Sequence, residues 1–412
     1  MSHAHDHRAS HAEVPARVRR LLVIAVAPFA VATVLGLAVL WPRDAPSRST
    51  LAGPAPELYN ATIVGHEPGS CGAAAPGVAS GQESSADSGC LDITLVLEDG
   101  PERGERQTIF FTEGPGAAKL DLGDRIVAGR SEDSAGVVSY YFADFQRRTP
   151  MLALGVVFVI AVVLFGRRRG LAALASLAVS LAVLIKFVLP AILTGKSPLA
   201  VAVVGAASVM FVALYVTHGF NPQTTAAVLG TLVSLTLICV LGALFVRLSH
   251  FTGLATEEAG FLQLSAGSVN LQGLLLGGLV IGSLGVLDDV TVTQASAVWQ
   301  LHDANPAAGA RSLYRSALEI GRDHIASTVN TLVLAYAGAS LPLLILFVIA
   351  GPRFSNVITS ETVAEEIVRT LVGSIGLVAS VPVTTALAAF IVTQRDGAPE
   401  EERERGSATD VD

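Results

Sequence analysis

Apolar runs of about twenty residues recur along the whole chain, and no other feature limits its fold as much. The hydrocarbon core of a bilayer is about 30 Å thick, which an α-helix crosses in about 20 residues. Such runs fill residues 21–41, 150–166, 171–193, 198–217, 224–246, 273–301, 321–350 and 367–393. Hydrophobic residues make up 51% of the chain and charged residues only 15%, against about 25% charged in an average soluble domain. In lipid the backbone has only itself to bond to, so runs of this kind become helices. The expected fold is an α-helical polytopic membrane bundle of about eight transmembrane helices.

Charge placement orients the bundle. Arg17, Arg19 and Arg20 precede the first run, and Arg167, Arg168 and Arg169 follow the second. With eight spans these arginines share a side with Arg311, Arg315, Arg322 and Arg395, while Lys196, Arg247 and Arg353 fall opposite. The positive-inside rule then predicts a multi-pass protein of the cell membrane with both termini cytoplasmic. The first run is longer than a signal-peptide core, so it is expected to stay as residues 17–41 of the mature chain. Residues 1–16 carry His3, His5, His7 and His11, as a metal-binding tract or a solvated tail. Residues 394–412 form a charged cytoplasmic tail. Lys186 lies inside the third run, either as a charge partner or snorkelling to the surface. The net charge of −8 argues against a nucleic-acid partner.

Residues 42–149 have a different pattern. Short apolar runs at 61–64, 91–97, 107–112, 125–127 and 137–142 alternate with turn residues such as Glu98-Asp99-Gly100 and Gly123-Asp124. Strands at this spacing predict a small all-β sandwich or barrel outside the cytoplasm, after the first helix. Residues 65–89 are rich in Gly, Ser and Ala and are expected to form a loop. Cys71 and Cys90 flank it, as a disulfide in an oxidising compartment or as two free thiols. A domain so placed would meet an envelope protein as its partner.

Polar residues inside the apolar runs are the candidates for chemistry. Residues 273–301 read GLLLGGLVIGSLGVLDDVTVTQASAVWQL. As one helix they span about 44 Å at 1.5 Å per residue, so the helix projects from the bilayer or breaks near Asp288 and Asp289. Asp289, Thr293, Ser296 and Gln300 share a stripe at 100° per residue. That stripe is a ligand-facing surface or an interfacial anchor paired to arginines. In the next run Asp323, Ser327 and Asn330 follow i, i+4, i+7 spacing, with His324 beside them. Asp323 alternatively caps the helix, and Asn330 would need a partner in lipid. Between the two runs, residues 307–320 have an apolar face containing Leu313 and Ala317 and predict an interfacial helix. Glu257 and Glu258, followed by Phe261 and Leu262, predict a short surface helix.

Several longer stretches resemble a known family. THGFNPQTTAAVLGT at 217–231, TEEAGFL at 256–262, LDDVTVTQASAVWQL at 287–301 and GRDHIASTVNTLVLAYAGASLPLLILF at 321–347 resemble the YibE/F-like membrane proteins. The resemblance covers about residues 150–393 and implies a seven-helix membrane domain, with the β-rich segment of the longer members before it. It implies no reaction.

The residues themselves point to a transporter or permease for a small solute or ion. Its binding set would be His218, Asn221, Asp288, Asp289, Thr293, Gln294, Asp323, His324 and Asn330, gathered where spans five, six and seven meet the cytoplasmic face. The alternative is a membrane scaffold or sensor whose β-domain binds an envelope partner. Catalysis is not expected: no HExxH or GxGD pattern is present, and no cofactor or metal is called for. A homo-oligomer is compatible with either reading.

Overall fold

The computed structural model describes residues 16–43, 57–69, 89–112, 114, 116–132, 136–265, 269–351, 357 and 359–394. The His-rich start, Cys71 and the charged tail from 395 lie outside these. The chain divides into two units. One comprises residues 1–46 and 166–412, the other residues 47–165.

The smaller unit is built on five antiparallel strands, β1 (Glu57–Gly69), β2 (Cys90–Leu97), β3 (Arg106–Thr112), β4 (Arg125–Glu132) and β5 (Val138–Phe145), in the order β3-β2-β1-β4-β5. All five short apolar runs became strands. β1 extends beyond its expected end at residue 64 to Gly69, so residues 65–69 belong to the sheet and not to the loop. Pairing with β2 explains this: Gly69 lies opposite Cys90 and His66 opposite Ile93. A bulge between Ile63 and Gly65 bends β1, so that its first half pairs with β4 and its second with β2. The edge strands meet through Phe111 and Phe142, edge to face at 5.8 Å. Strand order and near-closure follow the five-stranded, partly open barrel plan of OB-type domains. Alternate residues point inward, and Ala61, Ile63, Ile93, Leu95, Leu97, Ile109, Ile126 and Ala128 are fully buried. Cys90 is disulfide-bonded and Cys239 is a free thiol.

The larger unit is helical. Its long elements are α1 (Ala16–Leu40), the second part of α2 (Arg148–Val183), α4 (Pro198–His218), α5 (Pro222–Leu248), α7 (Leu271–Ala304), α8 (Ala310–Ala339), α9 (Leu341–Ala350) and α10 (Glu361–Thr393). A π-turn (Leu184–Val188) and α3 (Leu189–Leu193) continue α2, and α6 (Glu257–Ser265) is the expected short helix. Among the described residues, six helical stretches are long and apolar enough to cross a membrane. One of them covers residues 148–193, where two spans were expected, and Arg167 at φ 48°, ψ −125° breaks its helical geometry into two parts. The run expected over 321–350 breaks instead at Ser340, where Pro342 opens α9.

α5, α7 and α10 form the core, with α4 and α8 against it. Small residues let the backbones approach. A Cβ at Gly230 of α5 would lie 2.0 Å from Thr384 Oγ1 of α10, and one at Gly376 would lie 2.3 Å from Ile238 Cγ1. Gly273 and Gly277 of α7 pack against Pro198 and Ala202 of α4 in the same manner.

Residues 307–320 are not a separate interfacial helix. α8 runs on through them because Gly321 allows close packing instead of ending the helix: its Cβ position is 2.5 Å from Val381 Cγ1. Leu313 and Ala317 are accordingly buried in a cluster with Ala226, Val298 and Ala388.

Candidate functional site

α7 carries the acid pair and does not break there. Asn270 Oδ1 accepts a hydrogen bond from Gly273 N at 2.8 Å and caps its start, and Asn305 before Pro306 ends it. Thirty-four residues give a rod of about 51 Å, well beyond the about 30 Å hydrocarbon core. The helix runs on past the carboxylates without a break.

Its two carboxylates face differently, as residues 100° apart must. Asp289 is exposed, together with Thr293 and Gln300, so the expected ligand stripe is an outer face of the unit. Asp288 is half-buried, and its Oδ1 is sealed from solvent with no hydrogen-bond partner. It flanks the inward stripe Leu284, Leu287, Thr291, Gln294 and Val298, all buried.

Polar side chains around Asp288 bind helices to one another. Thr231 and Thr291 share a hydrogen bond between their hydroxyls at 2.8 Å, both fully buried. Gln223 Nε2 donates to Ser296 Oγ at 2.6 Å. Gln294, placed by its sequence among the ligand-binding set, instead donates from Nε2 to the Ala317 carbonyl at 2.6 Å and braces α7 to α8. Asn221 likewise caps α5. Its Oδ1 accepts from Thr224 N at 2.8 Å, and its Nδ2 donates to the His218 carbonyl at 2.8 Å.

The remaining candidates do not converge. His218 is exposed at the end of α4, and Asp323, Ser327 and Asn330 lie on the exposed face of α8. No partner for Asn330 comes from inside the unit, since it lies on an exposed face. His324 is half-buried, and its Nε2 is enclosed without a partner. Of the expected set, Asp288 on α7 and His324 on α8 are the two with an enclosed polar atom that has no partner.

A second acidic group went unrecognised in the sequence. Glu365 on α10 is 8% exposed and hydrogen-bonded to Glu361, while its Oε1 has no partner. Glu361 accepts from Thr252 N at 2.5 Å and Gly253 N at 2.9 Å, which ties the loop after α5 to the start of α10. Glu366 pairs with Arg369 one turn on. The i, i+4, i+8 spacing of Glu361, Glu365 and Arg369 was the available signal. Its two acids stand just before the apolar run beginning at 367, and Arg369 stands inside it.

The two acids lie along one core. Gly373 of α10 meets Ser283 of α7, and Val381 and Gln294 both meet Gly321, so α7 and α10 run parallel. At 1.5 Å per residue, Glu365 lies about 12 Å before the Ser283–Gly373 level and Asp288 about 7.5 Å beyond it, about 20 Å apart along the axis. Between them the core buries Ser234, Ser283 and Ser374, of which Ser234 and Ser374 have unpartnered hydroxyls. A cavity of about 10 Å³, lined by Ser283, Tyr336, Thr370 and Gly373, lies at the middle level, about the space one water occupies. Tyr336 and Thr370 also line a larger cavity of about 280 Å³ that reaches Glu366. Among the described residues no three His, Cys, Asp or Glu side chains gather as metal ligands would.

No curated protein and no solved structure matches the chain. The model of one protein family, described as YibE/F-like protein, matches residues 154–394. That match covers the α2-to-α10 helices, including both acids, and more than half of the sequence; the chain belongs to the YibE/F-like family.

Proposed function

We propose that this protein is a permease for a small ion or solute, with its route along the α5–α7–α10 core and Asp288 as the group that meets the transported species. One observation carries the reading: a carboxylate oxygen enclosed without a partner on a helix long enough to cross the membrane. Such a group is costly to keep and is functional by default. Glu365, the buried hydroxyls and the cavities beside Tyr336 support a route between the two acids.

In this reading the bundle has eight spans. Arg167 divides the helix of residues 148–193 into two, and α8 with α9 supplies another. Both termini are then cytoplasmic, the sheet lies outside, and the protein sits in the cell membrane; the arginine distribution supports this orientation. Its role is carriage and not catalysis.

The test uses proteoliposomes under imposed Na⁺ or K⁺ gradients, with a pH-sensitive dye reporting coupled proton flux. Asp288→Asn abolishes flux at unchanged protein abundance, whereas Asp289→Asn, on the exposed face, retains it. Undiminished flux in Asp288→Asn removes this carboxylate from the mechanism.

A second reading is a scaffold or sensor. The partly open barrel favours it, because domains of this plan bind ligands on the β2–β3 face. Here that face offers Thr94 opposite Thr108 and Asp92 opposite Phe110 to an envelope partner. Deleting residues 54–148 separates the readings: flux survives in a permease, and output is lost in a sensor.

A further inference from the structure

A second feature of the helical unit is independent of the acids. α1 meets α4 closely at Gly36, where a Cβ would lie 2.6 Å from Val204 Cγ2, but the two helices part on one side. The two enclose a groove of about 780 Å³, walled almost wholly by apolar side chains such as Val26, Ala30 and Phe211. Its other wall is an aromatic ladder, with Phe211 stacked on Tyr215 at 6.4 Å and Tyr215 on Phe220 at 4.5 Å. The lining runs from Arg19 to Leu37 on α1, about 27 Å along the helix axis. One leaflet of the hydrocarbon core is about 15 Å deep, so the groove is long enough to take an acyl chain of one leaflet.

Arg19 gives the groove polarity. It lines the end where Phe220 and Asn221 form the α4–α5 turn, while Arg17 and Arg20 lie outside the lining. Both walls belong to helices apolar enough to span a membrane, so the groove faces lipid. A basic side chain at one end of an apolar slot between helices matches an anionic headgroup above an acyl chain. We propose that the α1–α4 groove is a binding site for an anionic phospholipid, with Arg19 holding the phosphate and the chain lying against Val26, Ala30 and Phe211. The site seats α1 on the family domain through a lipid.

The experiment is native mass spectrometry of the full-length protein released from nanodiscs of equal phosphatidylglycerol and phosphatidylcholine. The wild type retains phosphatidylglycerol preferentially. One charge near the membrane surface corresponds to about a fivefold change in affinity, so Arg19→Ala lowers that retention about fivefold. Arg17→Ala and Arg20→Ala leave it unchanged. Ala30→Trp fills the slot and removes both lipids, and if that variant fails to fold, the arginine series decides alone. Equal retention of the two lipids, or equal losses in all three arginine variants, overturns the proposal. So does full competition by soluble glycerol phosphate, which has the headgroup charge and no chain. None of these outcomes depends on whether the protein transports.

Discussion

Replacing Gly230 by Ala tests the core most directly. The new Cβ would lie 2.0 Å from Oγ1, 3.0 Å from Cβ and 3.4 Å from Cα of Thr384. Turning Thr384 about χ1 relieves only the first contact, because the other two atoms do not move with it. α5 and α10 must therefore separate by a few tenths of an ångström, and overpacking of this kind costs about 1–3 kcal/mol. Alanine's helix preference over glycine returns about 1 kcal/mol. Gly278→Ala on α7 is the matched control, since nothing lies within 4 Å of its Cβ position. There only the helix preference acts, and the variant is stabilised by up to about 1 kcal/mol. The two variants differ by the packing cost alone, about 1–3 kcal/mol, which separates their midpoints by several degrees at about 2–4 °C per kcal/mol. Thermal unfolding in detergent, followed as the fraction remaining monodisperse, measures this. If Gly230→Ala melts at or above Gly278→Ala, the close approach of α5 and α10 is wrong.

Two further outcomes follow from the interactions described. Thr291→Val leaves the Thr231 hydroxyl without its partner and costs about 0.6 kcal/mol, at most about 1.7. The double variant Thr231→Val, Thr291→Val recovers part of this because no hydroxyl is stranded, and strictly additive losses in the same melt would contradict the pairing. In the β-unit, hydrogen bonds from Arg125 and then Thr62 hold Glu98 below the ordinary carboxylate range. A lowered folded-state pKa means that this stabilisation is present above the unfolded value and lost as pH falls through the folded one. Arg125→Ala therefore weakens hydrogen-exchange protection of β1 and β4 at pH 7, and the deficit shrinks below about pH 4.3. An equal deficit at pH 3.5 and pH 7 would show that the ion pair is not its source.

Much of this protein could be read from residue order alone, and the reason is that periodicity is local. Long apolar runs mark helices because lipid offers the backbone no partners, and the alternation in Asp92-Ile93-Thr94-Leu95 marks a strand whatever lies across from it. The five strands, the short helix after Thr256 and the interruption at Arg167 were all legible in that way. Which side chain faces which neighbour is not local. Asp288 and Asp289 are adjacent and chemically identical, and 100° of helix rotation enclosed one and exposed the other once α7 had packed against its neighbours. Asn221 and Gln294 were recognisable as polar groups in apolar surroundings, but whether such an amide meets a ligand or a backbone carbonyl depends on the helix opposite. Glu365 lies just before the apolar run, where nothing in the local pattern marks it as buried, and it is buried where α10 packs near the loop at Thr252. Sequence alone set the elements and their polarity, while burial belongs to pairs of elements and was decided only by their packing.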